Sequence, residues 1–234
     1  MSLTETLLRP YRGSPARPLV THYDDAAGSR VELSVATLVN WAAKTANWLV
    51  EERDVEPGDP VAVLLPAHWQ TAGVLLGAWW CGAHVVGSPA GASVTFVPPE
   101  VPDLPPGSEA AVVSLDPMGR DLGGAVASGT LDFIADARLQ GDDFFPLAPV
   151  PPDTPCLAGA TVEEVLTQAA TQAKGLDLTT DSRVLSTQKW TIPEGVLTGL
   201  VTVLSAGASL VQVTNPAPDR LSRHKETERT TVEL

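Results

Sequence analysis

Six residues stand where a ligand could be held: His68, Ser88, Thr187, Trp190, Thr214 and Asn215. Each follows a short apolar run that reads as a strand, and ligands of open α/β sheets bind beyond the carboxyl ends of the strands. Imidazole, hydroxyl and carboxamide groups can orient a polar head, while an indole offers an apolar wall. The chemistry implied by these residue types is binding of a small ligand rather than catalysis. No serine, threonine or cysteine stands in a recognisable nucleophile and base pattern, so no catalytic residue is assigned.

Other chemistries are excluded by absent motifs. The chain has no Gly-Lys-Ser/Thr phosphate loop and no Gly-x-Gly dinucleotide fingerprint. It also has no Gly-x-Ser-x-Gly elbow and no His-Glu-x-x-His zinc motif. Cys81-Gly-Ala-His84 has a two-ligand spacing, but no second pair completes a tetrahedral site, and it reads as a packed turn. Neither a metal nor a cofactor is expected.

The elements that must position the six residues follow from apolar periodicity. Val35, Leu38, Val39, Ala42, Ala46, Leu49 and Val50 form a stripe behind Ser34, which predicts an amphipathic helix with a serine cap. Val61 to Leu65 predicts a strand buried on both faces. Trp69 to Cys81 predicts a helix apolar nearly all round, and Gly82 to Val86 a second strand. Later, Thr161-Val-Glu-Glu164 is a capping box opening a helix that should stop in a left-handed turn at Gly175. A strand over 183–186, a helix over about 193–205 and a strand over 207–213 follow. Between these two series lie a strand at 110–115 and a weaker helix around 130–139, while Arg220–Arg229 is highly charged and 230–234 reads as an edge strand or a frayed end.

The two series share their grammar. Gly73-Val-Leu-Leu-Gly77 answers Gly195-Val-Leu-Thr-Gly199, and Gly82-Ala-His-Val-Val86 answers Gly207-Ala-Ser-Leu-Val211. An internal duplication is implied. Proline-rich stretches at 97–106 and 146–155 punctuate the chain. The organisation expected is α/β, two similar doubly wound, mainly parallel halves, 1–155 and 156–234, packed as one unit, the second ending in the charged tail.

The series Leu33-Ser34, Leu38, Ala42, Ala46, Leu49, then Val55-Glu-Pro-Gly-Asp-Pro-Val-Ala-Val-Leu-Leu-Pro66, then Ala78 and Cys81-Gly-Ala-His-Val-Val86, resembles the N-terminal part of the adenylate-forming enzymes. That superfamily includes acyl-CoA synthetases, nonribosomal peptide adenylation domains and firefly-type luciferases. Residues 183–213 resemble a later part of the same large domain. In size and ending the chain is similar to short actinobacterial homologues, which implies a complete natural chain. The resemblance implies an acyl pocket near the six candidate residues.

The departures from that family carry the functional expectation. Its Thr-Ser-Gly-Thr-Thr-Gly-x-Pro-Lys loop, whose amides and lysine hold a triphosphate, is absent. Only Cys156-Leu-Ala-Gly-Ala-Thr161 stands in its place, and Ser128-Gly-Thr130 is an unrelated fragment. The family's adenine, ribose and lid segments would lie beyond residue 234. A degenerate, noncatalytic relative acting as a binding or interaction module is expected, with no adenylation. The alternative is a small ATP-independent enzyme acting on an acyl or thioester group.

Charge and composition narrow the partners. Against 28 acidic residues stand 15 basic ones, a net charge of −13 among 234 residues, which disfavours nucleic acid and anionic membrane. A protein or a small acyl or aryl ligand remains as partner. Trp41, Trp48, Trp69, Trp79 and Trp80 on the first helices read as core or interface, so a homodimer is open. Cys81 and Cys156 are too few for a disulfide framework, and adjacent acid pairs such as Asp24-Asp25 read as solvated. No leader or membrane-spanning run is legible, which makes a cytoplasmic location the expectation.

Overall fold

The computed structural model describes residues 1–100 and 103–234. In chain order its elements are α1 (Leu3–Leu8), β1 (Pro18–Asp24), β2 (Ser29–Ser34), α2 (Val35–Arg53), β3 (Pro60–Val63), α3 (Trp69–Cys81), β4 (His84–Val86), β5 (Val94–Val97), β6 (Ala110–Val112), β7 (Thr130–Asp132) and α4 (Phe133–Ala137). There follow β8 (Pro155–Leu157), β9 (Ala160–Thr161), α5 (Val162–Gly175), β10 (Arg183–Ser186), α6 (Glu194–Val196), a π-helical turn (Leu197–Val201), α7 (Thr202–Ser205), β11 (Ser209–Thr214), α8 (Pro218–Glu228) and β12 (Val232–Glu233).

Local chemistry explains most boundaries. Ser34 caps α2 by accepting the Thr37 amide, and Thr161 and Glu164 complete a reciprocal capping box on α5. Gly82, at φ 89°, ends α3 in the left-handed region. Gly175 does not perform that role for α5. It is the last helical residue, and the left-handed position falls on Asp177, at φ 51°. The expected weak helix near 130–139 divides into β7 and a short α4, because Asp132 caps the helix by accepting the Ala135 amide. The charged stretch near the end is α8, and β12 pairs with β10 as an edge strand.

Two sheets form. One has the order β12-β10-β11-β1-β2, the other β7-β6-β5-β3-β4-β8-β9. Among the described residues the pairings are parallel except β1 with β2 and β8 with β9. Both expected strand–helix–strand units are present as adjacent parallel pairs, β3 with β4 and β10 with β11. Their surroundings interleave the chain: β1 and β2 join β11, and β8 joins β4. Strand pairing therefore crosses residue 155 in both directions. The hairpin β1–β2 carries no reading in the sequence, since Val-Thr-His-Tyr-Asp alternates too briefly to stand out.

One continuous core, from Leu3 to Leu210, fills the space between the sheets. Helices α2 and α3 approach closely there, because Gly77 has no side chain: a Cβ on it would overlap Thr45 and come within 2.7 Å of the Ala42 carbonyl oxygen. Trp48, Trp69 and Trp79 are buried in that core, and Trp41 and Trp80 pack partly buried against it. The outer face of the first sheet buries Tyr23, Leu185, Val211 and Val213 under Leu221 of α8. The outer face of the second sheet is covered by Leu104, Leu122 and Val126 from connecting segments. The part of the first proline stretch at residues 101 and 102 lies outside the described residues.

Candidate functional site

Parallel strands from both sheets end at one cavity of about 920 Å³. After β3 the segment Leu64-Leu-Pro-Ala-His68 lines it; Gly87 follows β4, Pro98 and Glu100 follow β5, and Leu115 lies beyond β6. From the other sheet come Asp24 at the end of β1, Thr187 to Ile192 after β10, and Gln212 to Pro216 around the end of β11. The geometry follows from topology, because strands running the same way must release their chains at the same end. His68, Thr187, Trp190, Thr214 and Asn215 are brought together on these walls. Ser88 is not among the lining residues, where its neighbour Gly87 takes the place.

Behind the cavity, sheet register aligns two buried rows, of which Gln212 alone is a lining residue. Val184, Leu210 and Val20 stand side by side on three strands, and two residues further on Ser186, Gln212 and His22 form the next row on the same face. All six are buried. Buried polar groups need partners. Gln212 donates its Nε2 to the Gln188 carbonyl at 3.1 Å, which fixes its amide and leaves Oε1 without a partner. The row is a feature sequence reasoning missed, although the single glutamine inside Ser209-Leu-Val-Gln-Val-Thr214 is a visible signal once the strand is placed.

Two imidazoles meet beside this row. His22 and His68 lie edge to face with centroids 4.3 Å apart. The Thr214 hydroxyl lies 3.0 Å from His22 Nε2 and 3.1 Å from the Tyr23 carbonyl, within hydrogen-bond reach of both. His68 caps α3, its Nδ1 accepting the Gln70 amide at 3.1 Å, so the proton of the neutral ring sits on Nε2. Burial pushes the pKa of His22 down to about 4, with Asp24 opposing, and burial with the neighbouring His22 pushes His68 down to about 2. Both rings are uncharged at neutral pH. Among the lining groups the one cation is exposed Lys189, and the carboxylates are Asp24 and Glu100. Burial raises the Asp24 pKa, but Asn215 and the amides of Ala27 and Ala26 outweigh it and hold the carboxyl below its usual range.

Trp190 is 4% exposed, and its indole Nε1 has no hydrogen-bond partner. It is seated against the π-helical turn, where a Cβ on Gly199 would come within 2.8 Å of Nε1. Gly195 likewise admits the backbone of Lys189. Asp25, expected to be solvated, is instead buried and bonded to His224 Nε2 at 2.8 Å.

At Cys156–Thr161, the segment that the sequence reading sets in place of the phosphate loop, β8 turns directly into β9. Ala158 and Gly159, at φ 47° and 91°, form the two-residue turn of a hairpin. Its amides are already used. Ala158 donates to the Val85 carbonyl at 2.9 Å, Gly159 to His84 Nε2 at 2.7 Å, and Thr161 to the Glu164 carboxylate at 2.8 Å. His84 is thereby engaged away from Cys81, whose buried thiol donates to the Ala78 carbonyl. The Cys81 and Cys156 pKa values are both pushed up to about 12 by burial.

No family model matches the sequence. A TIGR03089 family protein of Mycobacterium tuberculosis (strain ATCC 25618 / H37Rv) is 43% identical over 239 residues, covering 98% of this chain and 97% of that protein. The chain belongs to the TIGR03089 family. All of this TIGR03089 chain superposes on solved acyl-CoA synthetases. The similar structures include the Brucella canis acyl-CoA synthetase (16% identity, TM-score 0.76, 47% of that chain), acetoacetyl-CoA synthetase from Streptomyces lividans (20%, 0.75, 42%) and a benzoate CoA ligase from Burkholderia xenovorans LB400 (16%, 0.74, 50%). The TIGR03089 chain spans about half the length of these structures, and its fold is that of their N-terminal domain. Among its described residues no helix is long and apolar enough to cross a membrane.

Proposed function

We propose that this chain is a noncatalytic relative of the acyl-CoA synthetases that holds a small acyl or aryl ligand in the crevice without activating it by ATP. One observation carries the reading: the turn where a phosphate loop would lie is a two-residue hairpin whose amides are bonded to Val85, His84 and Glu164. Triphosphate binding needs free amides and positive charge. Here the amides are occupied and the nearest added charge is a carboxylate. The crevice has an apolar body built from Val63, Leu65, Pro66, Leu115, Ile192 and Val213. A further function as a cytoplasmic interaction module, with a homodimer or another protein as partner, is compatible with this proposal.

The ATP-independent acyl-transfer alternative draws less support. Among the described residues Thr214 and His22 come within 3.0 Å as a hydroxyl and an imidazole, but burial pushes the His22 pKa down to about 4, far from that of a base poised for neutral pH.

The protein incubated with ATP, magnesium and a panel of carboxylic acids is expected to release no pyrophosphate above the buffer rate. Acid-dependent release overturns the proposal. Thermal denaturation with acyl and aryl compounds is expected to reveal ligand stabilisation, about 2.7 kcal/mol at a hundredfold excess over Kd.

A further inference from the structure

We infer that the crevice takes its acyl or aryl ligand in an uncharged carbonyl form, an amide, ester or thioester, and rejects the free carboxylate, with His68 Nε2–H donating to the carbonyl oxygen. The inference rests on the crevice being a ligand site, as proposed above, and adds the class of head group. His68 lines the cavity and is 94% enclosed, being 6% exposed. Its Nδ1 is consumed by the Gln70 amide, which commits the proton to Nε2, and no described residue accepts that proton. A fixed, unpartnered donor at the wall of a cavity is a place for an acceptor on the ligand.

The surroundings decide against a negative acceptor. Gln212 Oε1 is an unpaired lone-pair donor on a lining residue, held in place by its own amide hydrogens. His22, edge on to His68, is spent on Thr214 and carries no charge at neutral pH. The lining carries two carboxylates, Asp24 and Glu100, and one cation, Lys189, which is exposed at the surface. Bringing a carboxylate into an apolar cavity requires a compensating cation. A neutral carbonyl needs only the one donor that is present.

Matched pairs of probes test this, since only the head group changes. Benzamide against benzoate, and octanamide against octanoate, are titrated into the full chain by calorimetry at pH 7.5. The amides are expected to bind at least about tenfold tighter than the corresponding acids. Acids binding as tightly as amides, or tighter, overturn the inference and leave the ligand-site proposal standing. Absence of binding by both members of both pairs overturns the ligand-site proposal and the inference with it. In the variant His68→Asn the side-chain oxygen can still cap α3 while the donor is withdrawn from the cavity. Amide affinity is expected to fall about tenfold in this variant, with circular dichroism unchanged; unchanged amide affinity removes His68 from the inference. In the wild type, the His68 Nε2 resonance in a long-range nitrogen–proton spectrum is expected to shift on adding benzamide, and a silent resonance at saturation counts against it.

Discussion

The unit β3–α3–β4 and the unit β10–α6–α7–β11 share a pattern of glycines four apart, yet the glycines serve different purposes. In the first unit Gly73 and Gly77 face Trp41 and Thr45 of α2, and their missing side chains let two helices close on each other. In the second, Gly195 and Gly199 face Lys189 and Trp190, and their missing side chains admit the loop that walls the cavity. The first helix is a regular α-helix buried along nearly its whole length, while the second passes through a π-helical turn. Such turns are frequent at functional sites because they widen the helix to accommodate a neighbour. The same glycine spacing thus serves helix packing in one unit and the cavity wall in the other. The covers differ in the same sense: hydrocarbon surrounds the first unit, whereas the second is tied to α8 by charges.

The strongest way to break this comparison is Gly77→Val. Its branched side chain would enter Thr45 and the Ala42 backbone, which cannot yield without separating α2 from α3, so a loss of about 3 kcal/mol is expected in urea unfolding. A loss below about 1 kcal/mol would mean that close helix approach is not what this glycine provides.

Next comes the charged cover. Buried Glu228 receives Arg30 at 2.8 Å, Arg183 at 2.5 Å and the Tyr23 hydroxyl at 2.5 Å. Burial raises its pKa, but these hydrogen bonds outweigh it and bring the carboxyl down to about 2. A depressed carboxylate pKa contributes stability above the unfolded value, near 4.5, and loses it as pH falls toward 2. Glu228→Gln is expected to cost about 2 kcal/mol at pH 7, with the gap to wild type closing between pH 4.5 and 2. A gap independent of pH in that window would assign the effect to packing alone.

Gly199→Ala sharpens the comparison from the other side. The added methyl displaces the Trp190 indole but leaves the helix free to relax toward the loop, so about 1–2 kcal/mol is expected, less than at Gly77. The Trp190 indole proton should be the one that shifts in a nitrogen–proton spectrum. Shifts spread over the tryptophans of α2 and α3 instead would contradict the local role.

The smallest effect concerns acid sensitivity at the crevice. His22 is protonated more readily in the unfolded chain, near pH 6.5, than in the folded one, near 4, so folding stability falls as pH drops below 6.5. Between pH 7.5 and 5.5 the wild type should lose about 1 kcal/mol more than His22→Gln. Equal losses would show that the ring is not kept neutral by burial.

Legibility differed by element. Helices α2 and α3 and the cap of α5 could be read because apolar spacing and capping chemistry are local. The hairpin β1–β2 could not, since its inner face, Val20, His22 and Asp24, becomes apolar or polar only according to which strand lies beside it. Five of the six candidate residues line one cavity, because they were chosen by the rule that strands release ligand-binding loops at their carboxyl ends. His22 and Gln212 escaped that rule, since both lie within strands.

By itself the sequence determined the two strand–helix–strand units and their shared glycine pattern, both of which depend on neighbours within a few positions. Only the tertiary structure decided that β1 completes the second unit's sheet, that β8 completes the first's, and that His22, His68 and Gln212 meet. Residues 22, 68 and 212 are joined by sheet register and by packing between the sheets, and such long-range contacts leave no periodic trace in the chain.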